Sequence, residues 1–519
     1  MQSRRIAPVL AVSVLATLAP AVAVAAPANA APANSTNSTN STNAAAQPLT
    51  WQRCGADTPA AFECATIKVP LDYRAPGGKK IEVAISRTKA TDPKKRRGVL
   101  LFNPGGPGGS GVGDPMVWGG MLPQSVKDQY DLIGFDPRGV GKSTPVECGT
   151  APQERRVLLP YSEATFDSSV AWARTFADKC RAKYGADLKH FTTRNTARDM
   201  DAIRAALGEK KISYVGVSYG TYLGAVYTQM FPHRSDRIVL DSSVDPSKAW
   251  RGTLRAWATG AEPAYDRWTR WTAQHHAKYG LGATPEAVDK SFWDLVARAD
   301  REPIRVGDEV LDGPVLRETM RRAFFHRALG AEILVMVKKA AAGEPVEPPP
   351  SYVVQDNEMS LFQTIVCGDA SWPRDLATYR RDAARDAARF PIYGDFGSNV
   401  TACAFWDDPV EPATKVNNRV GALMLQAEWD SQTPLQEAKG MHRAMKGSRM
   451  VTVDEGETHG VYLEGVSSCA DAVATAYLTT GKLPAKDVTC AANPTPPPSS
   501  SQLPETADPR KRLPLQGGF

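Results

Sequence analysis

The most informative stretch of this chain is Ile212-Ser213-Tyr214-Val215-Gly216-Val217-Ser218-Tyr219-Gly220. Its β-branched and aromatic residues predict a buried strand, and the Gly-x-Ser-x-Gly ending predicts a sharp turn into a helix. Small residues are required at Gly216 and Gly220, because a Cβ at either position would collide with the facing strand or helix. Such a turn exposes the Ser218 hydroxyl at the carboxyl edge of a parallel sheet. Ser218 is therefore the candidate nucleophile.

Other apolar runs predict further strands, separated by helical patterns. The predicted strands are 98–103, 130–135, 212–217, 237–240, 422–426 and 450–453. A helix is predicted over 196–208, with Thr196 as N-cap, Asp199 at the capping-box position and Gly208 as its stop. Strands that alternate with helices indicate an α/β fold with a mostly parallel sheet, covered on both faces.

The pattern becomes helical after residue 245, with no predicted strand before Ala422. We expect a helical cap over 246–410, inserted between two parts of an α/β core, 47–245 and 411–490. Ordinary packing inside this cap accounts for Trp268, Trp271 and Trp293.

Both ends of the chain differ from the predicted core. Arg4 and Arg5, an apolar stretch and the small-residue site Ala28-Asn29-Ala30 predict a secretory signal over 1–30. An Asn-Ser-Thr repeat in 31–46 and a Pro- and Ser-rich segment over 491–519 predict a disordered leader and a flexible tail. We therefore expect a secreted, extracellular protein without stable membrane association.

Charge and cysteine content exclude some classes of function. The 62 basic and 56 acidic residues are mixed along the chain, and no basic block with interleaved aromatics supports nucleic-acid binding. Eight cysteines in an exported chain favour disulfides, because a zinc site would need close Cys-x-x-Cys pairs or nearby histidines. No metal or organic cofactor is implied. Neighbouring pairs are the simplest connectivity, although spacing alone does not fix it: Cys54 with Cys64, Cys148 with Cys180, Cys367 with Cys403, and Cys469 with Cys490.

A serine nucleophile needs a base and an acid that orients the base. Of the seven histidines, His459 lies in a polar loop directly after the last predicted strand, a place in an α/β sheet where the base for a serine nucleophile is expected. Asp430 follows the preceding strand and is the favoured acid, with Glu428 as the competitor. Thr433 could donate a hydrogen bond to Asp430. Asp430 could equally begin a helix as its N-cap, and the two roles are compatible.

The oxyanion formed during acyl transfer needs two hydrogen-bond donors. The backbone N–H of Tyr219 should be one, and the glycine-rich loop 103–111 should supply the other. A phosphate cradle is the rival interpretation of this loop, but the Gly-x-x-x-x-Gly-Lys-Ser/Thr spacing is missing. The loop 136–143 also lacks this spacing, and Arg138 is expected to brace neighbouring carbonyls or carboxylates there.

Five ordered motifs together closely resemble the secreted bacterial tripeptidyl aminopeptidases, which belong with the proline iminopeptidase type of α/β-hydrolase. The motifs are Asn-Pro-Gly-Gly-Pro-Gly at 103–108, Asp-Pro-Arg-Gly at 136–139, Gly-Val-Ser-Tyr-Gly at 216–220, Asp-Ser-Gln-Thr-Pro at 430–434 and Thr-His-Gly at 458–460. Pro104 stands where the iminopeptidases have His, and the secreted tripeptidyl group is similar to this chain there. The resemblance implies a serine exopeptidase that removes short peptides, typically tripeptides, from free N-termini. It also implies a Ser218, Asp430 and His459 triad, with Gly106 and Tyr219 as oxyanion donors.

An enzyme that selects free N-termini needs a carboxylate in the cap for the substrate's ammonium. Asp369 is the first candidate and Glu358 the second, although either could be a surface or helix-capping acid. Two rival functions stay open. A secreted esterase or lipase would use the same triad without an ammonium anchor, and a non-catalytic binding protein would use the scaffold alone.

Overall fold

The structure is a computed structural model that describes residues 49–307, 309–324, 326–346 and 354–494. The predicted signal over 1–30, the leader over 31–46 and most of the predicted tail lie outside the described residues.

The described residues contain a ten-stranded sheet and a separate two-stranded hairpin. The strands are β1 (Gln52–Arg53), β2 (Glu63–Pro70), β3 (Lys80–Thr88), β4 (Gly98–Asn103), β5 (Tyr130–Phe135), β6 (Ile212–Val217), β7 (Ser235–Asp241), β8 (Ile304–Val306), β9 (Glu309–Leu311), β10 (Ala422–Ala427), β11 (Ser448–Asp454) and β12 (Val488–Ala491). The order in the large sheet is β1-β2-β3-β5-β4-β6-β7-β10-β11-β12. All neighbours from β5 to β12 are parallel, whereas β1, β2 and β3 pair antiparallel. The predicted α/β fold with a mostly parallel sheet is confirmed.

The central strands coincide with the apolar runs because both of their faces are covered. Every residue of β4 is buried, and β5 and β6 each have a single half-buried position. The antiparallel strand β2 instead alternates, with Ala65, Ile67 and Val69 buried between exposed Thr66 and Lys68. One face of such a strand meets solvent. A search for continuous apolar runs therefore does not find it.

Five helices of the core precede the cap and two follow it. They are α1 (Asp114–Met121), α2 (Gln124–Lys127), α3 (Phe166–Tyr184), α4 (Thr193–Ala206) and α5 (Tyr219–Met230), then α14 (Leu435–Ala444) and α15 (Ser468–Thr480), with 3-10 turns at Pro152–Glu154, Gly185–His190 and Pro232–Arg234. The predicted N-cap Thr196 is wrong, because the Thr192 hydroxyl accepts from the Asn195 N–H and starts α4 one turn earlier.

The predicted capping-box role of Asp199 is also wrong. This carboxylate is fully buried and pairs with the buried Arg138 guanidinium at 2.7 Å. Arg138 donates further hydrogen bonds to the carbonyls of Leu71 and His190. A buried pair of this kind needs its remaining donors satisfied. Arg138 therefore braces the 136–143 loop, as the sequence predicted.

The predicted cap region contains eight helices in the described residues. They are α6 (Arg251–Gln274), α7 (His276–Tyr279), α8 (Pro285–Arg301), α9 (Gly313–Ala323), α10 (Arg327–Ala341), α11 (Asp356–Gly368), α12 (Leu376–Arg389) and α13 (Gly394–Ser398), followed by a 3-10 turn at Ala402–Phe405. Trp268 is fully buried among them. The expectation of no strand here is wrong, because β8 and β9 form an antiparallel hairpin. Each has only three residues, too few to give a strand pattern in the sequence.

Four disulfides connect neighbouring cysteines, in the pairs that the sequence suggested. They join Cys54 to Cys64, Cys148 to Cys180, Cys367 to Cys403, and Cys469 to Cys490. The predicted tail begins too early at 491, because Ala491 belongs to β12 and Asn493 bonds to the carbonyls of Val466 and Gly465. Within the described residues, no helix combines the length and the apolar character needed to cross a membrane.

Candidate active site

Ser218 alone makes the turn between β6 and α5. Its backbone has φ +57° and ψ −122°, a conformation that non-glycine residues rarely adopt and that clusters at functional sites. A Cβ on Gly220 would lie 2.7 Å from the Asn103 carbonyl oxygen, and one on Gly216 would collide with the main chain of Gly220. Neither position therefore has room for a side chain, and glycine is required at both, as the sequence predicted.

The loops after β10 and β11 bring an acid and a base together. His459 Nδ1 lies 2.9 Å from Asp430 Oδ2 and 3.1 Å from Oδ1. Glu428 does not take this place, because its carboxylate accepts from the Glu455 N–H at 2.9 Å. A hydrogen bond at Nδ1 leaves Nε2 of the imidazole as the atom able to accept a proton.

The Asp430 carboxylate is held by three further donors. Oδ1 accepts from the N–H groups of Gln432 and Thr433 at 2.7 and 2.9 Å. Oδ2 accepts from the Thr433 hydroxyl at 2.8 Å, the contact expected from the sequence. With Asp430 only 2% exposed, these bonds compensate the carboxylate for lost water.

The charge around His459 favours its protonated form. Burial alone lowers the pKa of the imidazole, but the adjacent Asp430 and the more distant Asp241 more than offset this effect. Arg321 in the cap acts in the opposite direction. The net pKa of His459 is raised above the ordinary histidine value. An imidazolium formed during a reaction would thus be stabilised at this position.

We expect kcat/KM for an ester substrate without a titratable amine to rise with pH through a midpoint above about 6.5. The sign follows from the shift: a general base must be neutral, and a raised pKa keeps His459 protonated to higher pH. Initial rates across the neutral range measure the midpoint. His190→Gln is the matched control, because burial lowers the pKa of His190 and its titration should not control the rate. A midpoint below the ordinary histidine value would contradict the assignment of His459 as base.

The glycine-rich loop after β4 covers the Ser218 turn. Gly105 has φ +106°, and a Cβ there would lie 2.7 Å from the Val217 carbonyl oxygen and 3.0 Å from the Ser218 Cβ. This close approach sets the neighbouring Gly106 beside the turn. Among the described hydrogen bonds, the N–H groups of Gly106 and Tyr219 have no acceptor. Two such donors beside a nucleophile can bind an oxyanion.

Strand β7 connects the Ser218 turn with the His459 loop. The Ser218 N–H donates to the Asp241 carbonyl at 2.9 Å. The Asp241 carboxylate accepts from the N–H groups of Val461 and Tyr462. No described hydrogen bond joins the Ser218 hydroxyl to His459, and such bonds often form only when substrate is bound. Asp241 was missed in the sequence, where an acid directly after the apolar run 238–240 was the available sign.

Asp369 is not retained as the candidate for binding a substrate amine. It is 7% exposed, and its two oxygens accept from the Thr193 N–H, the Thr193 hydroxyl and the Trp250 indole N–H. Burial raises the pKa of Asp369 to about 6, with these donors acting against it. Its carboxylate instead connects α11 with the start of α4 and with Trp250. The contacting residues lie 176 and 119 positions away in the sequence, so no local pattern reveals them.

Glu358 lies in the first turn of α11, beside the glycine-rich loop. A Cβ on Gly108 would lie 3.0 Å from the Glu358 carbonyl oxygen, so the two main chains are in contact. The side chain is half-buried. Of the two carboxylates expected from the sequence, Glu358 is the one whose main chain contacts the glycine-rich loop.

Cap residues contact both loops that carry the acid and the base. Arg321 donates to Gln432, two residues after Asp430, at 2.5 Å. Glu457, two residues before His459, accepts from Arg267 at 2.7 Å and from Arg327 at 2.6 Å. These contacts join residues far apart in sequence, and sequence reasoning missed them. The cap thus lies at the carboxyl edge of the sheet, against the candidate active site.

Two family models match the chain. One is described as the alpha/beta hydrolase fold and matches residues 98–290, and the other is described as TAP-like protein and matches residues 390–490. Tripeptidyl aminopeptidase of Streptomyces lividans is 36% identical, over 88% of this chain and 89% of the relative. Serine protease Hip1 of Mycobacterium tuberculosis is 30% identical, over 86% of this chain and 91% of the relative. Carboxylesterase B of the same organism is 29% identical, over 85% of this chain and 90% of the relative.

The fold and these matches define an α/β-hydrolase. The chain belongs to the tripeptidyl aminopeptidase family of α/β-hydrolases, as the five motifs indicated, and it is a serine peptidase.

Proposed function

We propose that this serine peptidase is a secreted tripeptidyl aminopeptidase with Ser218, Asp430 and His459 as its triad. The observation that carries the proposal is the hydrogen bond between His459 Nδ1 and Asp430, in a loop tied through β7 to the Ser218 turn. The relative named tripeptidyl aminopeptidase supports the choice of activity.

In the proposed reaction, the Ser218 hydroxyl attacks a peptide carbonyl while His459 Nε2 takes its proton. The oxyanion binds to the N–H groups of Tyr219 and Gly106. The imidazolium, stabilised by Asp430, then gives the proton to the leaving amine. Water, activated by His459, hydrolyses the acyl-enzyme and restores Ser218.

Selection of a free N-terminus needs an anionic partner for the substrate ammonium, and we assign this role to Glu358. Its helix α11 contacts the glycine-rich loop at Gly108, the loop that also carries the proposed oxyanion donor Gly106. A buried ammonium without a counter-charge would be strongly disfavoured. An N-terminally blocked peptide would lack this interaction.

Export is the second part of the proposal. Four disulfides in the described residues fit an oxidising compartment, since such bonds are rare where thiols are kept reduced. The apolar N-terminal stretch with its small-residue site supplies the secretory signal.

The test compares tripeptide 4-nitroanilides with free and acetylated N-termini. We expect the free peptides to be cleaved at least about tenfold faster in kcat/KM, since a hydrogen bond to a charged group contributes about 1.5–3 kcal/mol. Glu358→Gln should remove most of this preference and leave ester hydrolysis unchanged. Asp369→Asn, which alters a packing carboxylate, is the matched control and should keep the preference. Equal cleavage of free and acetylated peptides would contradict an aminopeptidase.

The length of the released fragment separates tripeptidyl from shorter specificities. Mass spectrometry of an unblocked peptide of known sequence gives this length directly, and three residues are expected. The alternative is a carboxylesterase using the same triad, favoured by the relative named carboxylesterase B. Rapid hydrolysis of p-nitrophenyl esters with no cleavage of either peptide would support that alternative.

A further inference from the structure

Asp241 is a buried carboxylate that the proposed reaction does not use. It ends β7 and is 1% exposed. Among the described ion pairs, none involves Asp241. A buried anion without a cation must be stabilised by hydrogen-bond donors. The identity of those donors indicates what the residue does.

All of the backbone donors come from the segment directly after His459. Val461 N–H lies 2.9 and 3.0 Å from the two Asp241 oxygens, and Tyr462 N–H lies 2.8 Å from one of them. The residue directly after β7, Ser242, accepts from the Gly460 N–H through its hydroxyl at 2.8 Å. Three consecutive N–H groups after the proposed base are thus held by two adjacent side chains.

The same residue also holds the nucleophile turn. The Asp241 carbonyl accepts from the Ser218 N–H at 2.9 Å, while its carboxylate holds the His459 loop. The Ser242 N–H donates to the Leu425 carbonyl of β10, which leads to the Asp430 loop. The end of β7 therefore contacts all three segments that carry the proposed triad.

We propose that Asp241 is a positioning residue, which fixes the His459 loop relative to Ser218 and adds a second negative charge that stabilises the imidazolium. This inference rests on the proposed triad. It differs from the role of Asp430, because Asp241 acts through the backbone of the loop and makes no described contact with the imidazole.

The charge of Asp241 depends on its surroundings. Burial raises the pKa of Asp241 to about 6, and the N–H groups of Tyr462 and Val461 act against this. The charged groups that face it are Glu464, which raises its pKa, and His459, which lowers it. Asp241 is therefore ionised at neutral pH. His459 in turn faces Asp430, Asp241 and Arg321.

Asp241→Asn tests the proposal, because it keeps the size of the side chain and removes the charge. With a p-nitrophenyl ester, we expect kcat to fall about 10- to 100-fold with KM nearly unchanged, since misplacement of a catalytic group lowers the rate rather than binding. The acid limb of kcat/KM should also move to lower pH by about 0.5, because an anion near the base is gone. Substitution of a residue with a merely structural role would leave the midpoint of this acid limb unchanged.

Ser242→Ala is the matched control, because it removes one anchor of the same loop, and the long hydrogen bond of 3.3 Å from the Ser242 hydroxyl to Asp241 Oδ1, without changing charge. It should lower kcat by a smaller factor and leave the acid limb in place. Wild-type kcat and an unmoved limb in Asp241→Asn would overturn the proposal, as would a rate loss equal to the unfolded fraction measured by circular dichroism. If Asp241→Asn does not fold, wild-type kcat in Ser242→Ala overturns it.

Labelling with a fluorophosphonate separates this inference from the proposed function. Labelling of the wild type at Ser218 and a moved limb in Asp241→Asn support both. Labelling at Ser218 with an unmoved limb overturns only the role of Asp241. A wild type that turns over substrate with no labelling at Ser218 overturns the proposed triad, and the role of Asp241 with it.

Discussion

Ser218→Ala is expected to abolish turnover of both peptides and esters. In other serine hydrolases, loss of the nucleophile lowers kcat by about 10⁶-fold, and the same order is expected here. Thermal unfolding should stay unchanged, because the Ser218 hydroxyl makes no described hydrogen bond and alanine would occupy the same φ of +57°. Steady-state assays and a thermal melt on the same preparation measure both quantities.

Ser213→Ala is the control for this experiment. Ser213 lies on β6, five residues before Ser218, and its hydroxyl donates a long hydrogen bond to Asp236, at 3.4 Å. This variant should turn over substrate like the wild type. Normal turnover in Ser218→Ala would exclude this serine as nucleophile. A folded wild type that is inert toward every peptide and ester would support the non-catalytic binding protein.

Asp430→Asn should lower kcat by about 10⁴-fold, the loss seen when the corresponding acid of another serine protease is replaced by its amide. The amide would turn an N–H₂ group or a weaker acceptor toward His459 Nδ1 and no longer hold the reactive tautomer. The hydrogen bonds from Thr433 and Gln432 to Oδ1 can persist, so the loop should keep its shape. Burst and steady-state kinetics measure the loss.

Glu428→Gln is the matched control for the acid. Glu428 is two residues from Asp430, but it accepts from the Glu455 N–H, a bond that glutamine can keep through its carbonyl oxygen. Most of the activity should therefore remain. An inactive Glu428→Gln beside an active Asp430→Asn would show that Glu428 is the acid.

The sequence predicts best those elements whose surroundings are uniform. Strands β4, β5 and β6 are covered on both faces, so hydrophobicity alone marks their bounds. Strand β2 exposes one face, and the start of α4 depends on a hydroxyl, that of Thr192, so these elements were missed or misplaced. Their limits depend on which side meets solvent and on a single capping bond, and neither follows from composition.

The residues of the candidate site also differ in how well the sequence predicts them. Ser218, Asp430 and His459 follow turns at strand ends, so order and local motif suffice to propose them. Asp241 looks like any acid that ends a strand until its partners at 461 and 462 are known. Asp369 is not retained as the ammonium anchor, because Thr193 and Trp250 donate hydrogen bonds to its oxygens. Both donors lie far from Asp369 in the sequence. The roles of Asp241 and Asp369 both depend on hydrogen bonds with residues distant in sequence.

The parallel pairing of β10 with β7 sets the order in which the site can be assembled. The chain leaves the sheet at Asp241 and rejoins it only at Ala422, after the whole cap. A growing chain therefore carries Ser218 before the proposed base His459 is available, since contacts between distant segments form only after the intervening chain is in place. The proposed triad would therefore be complete only after β10 and β11 have joined the sheet.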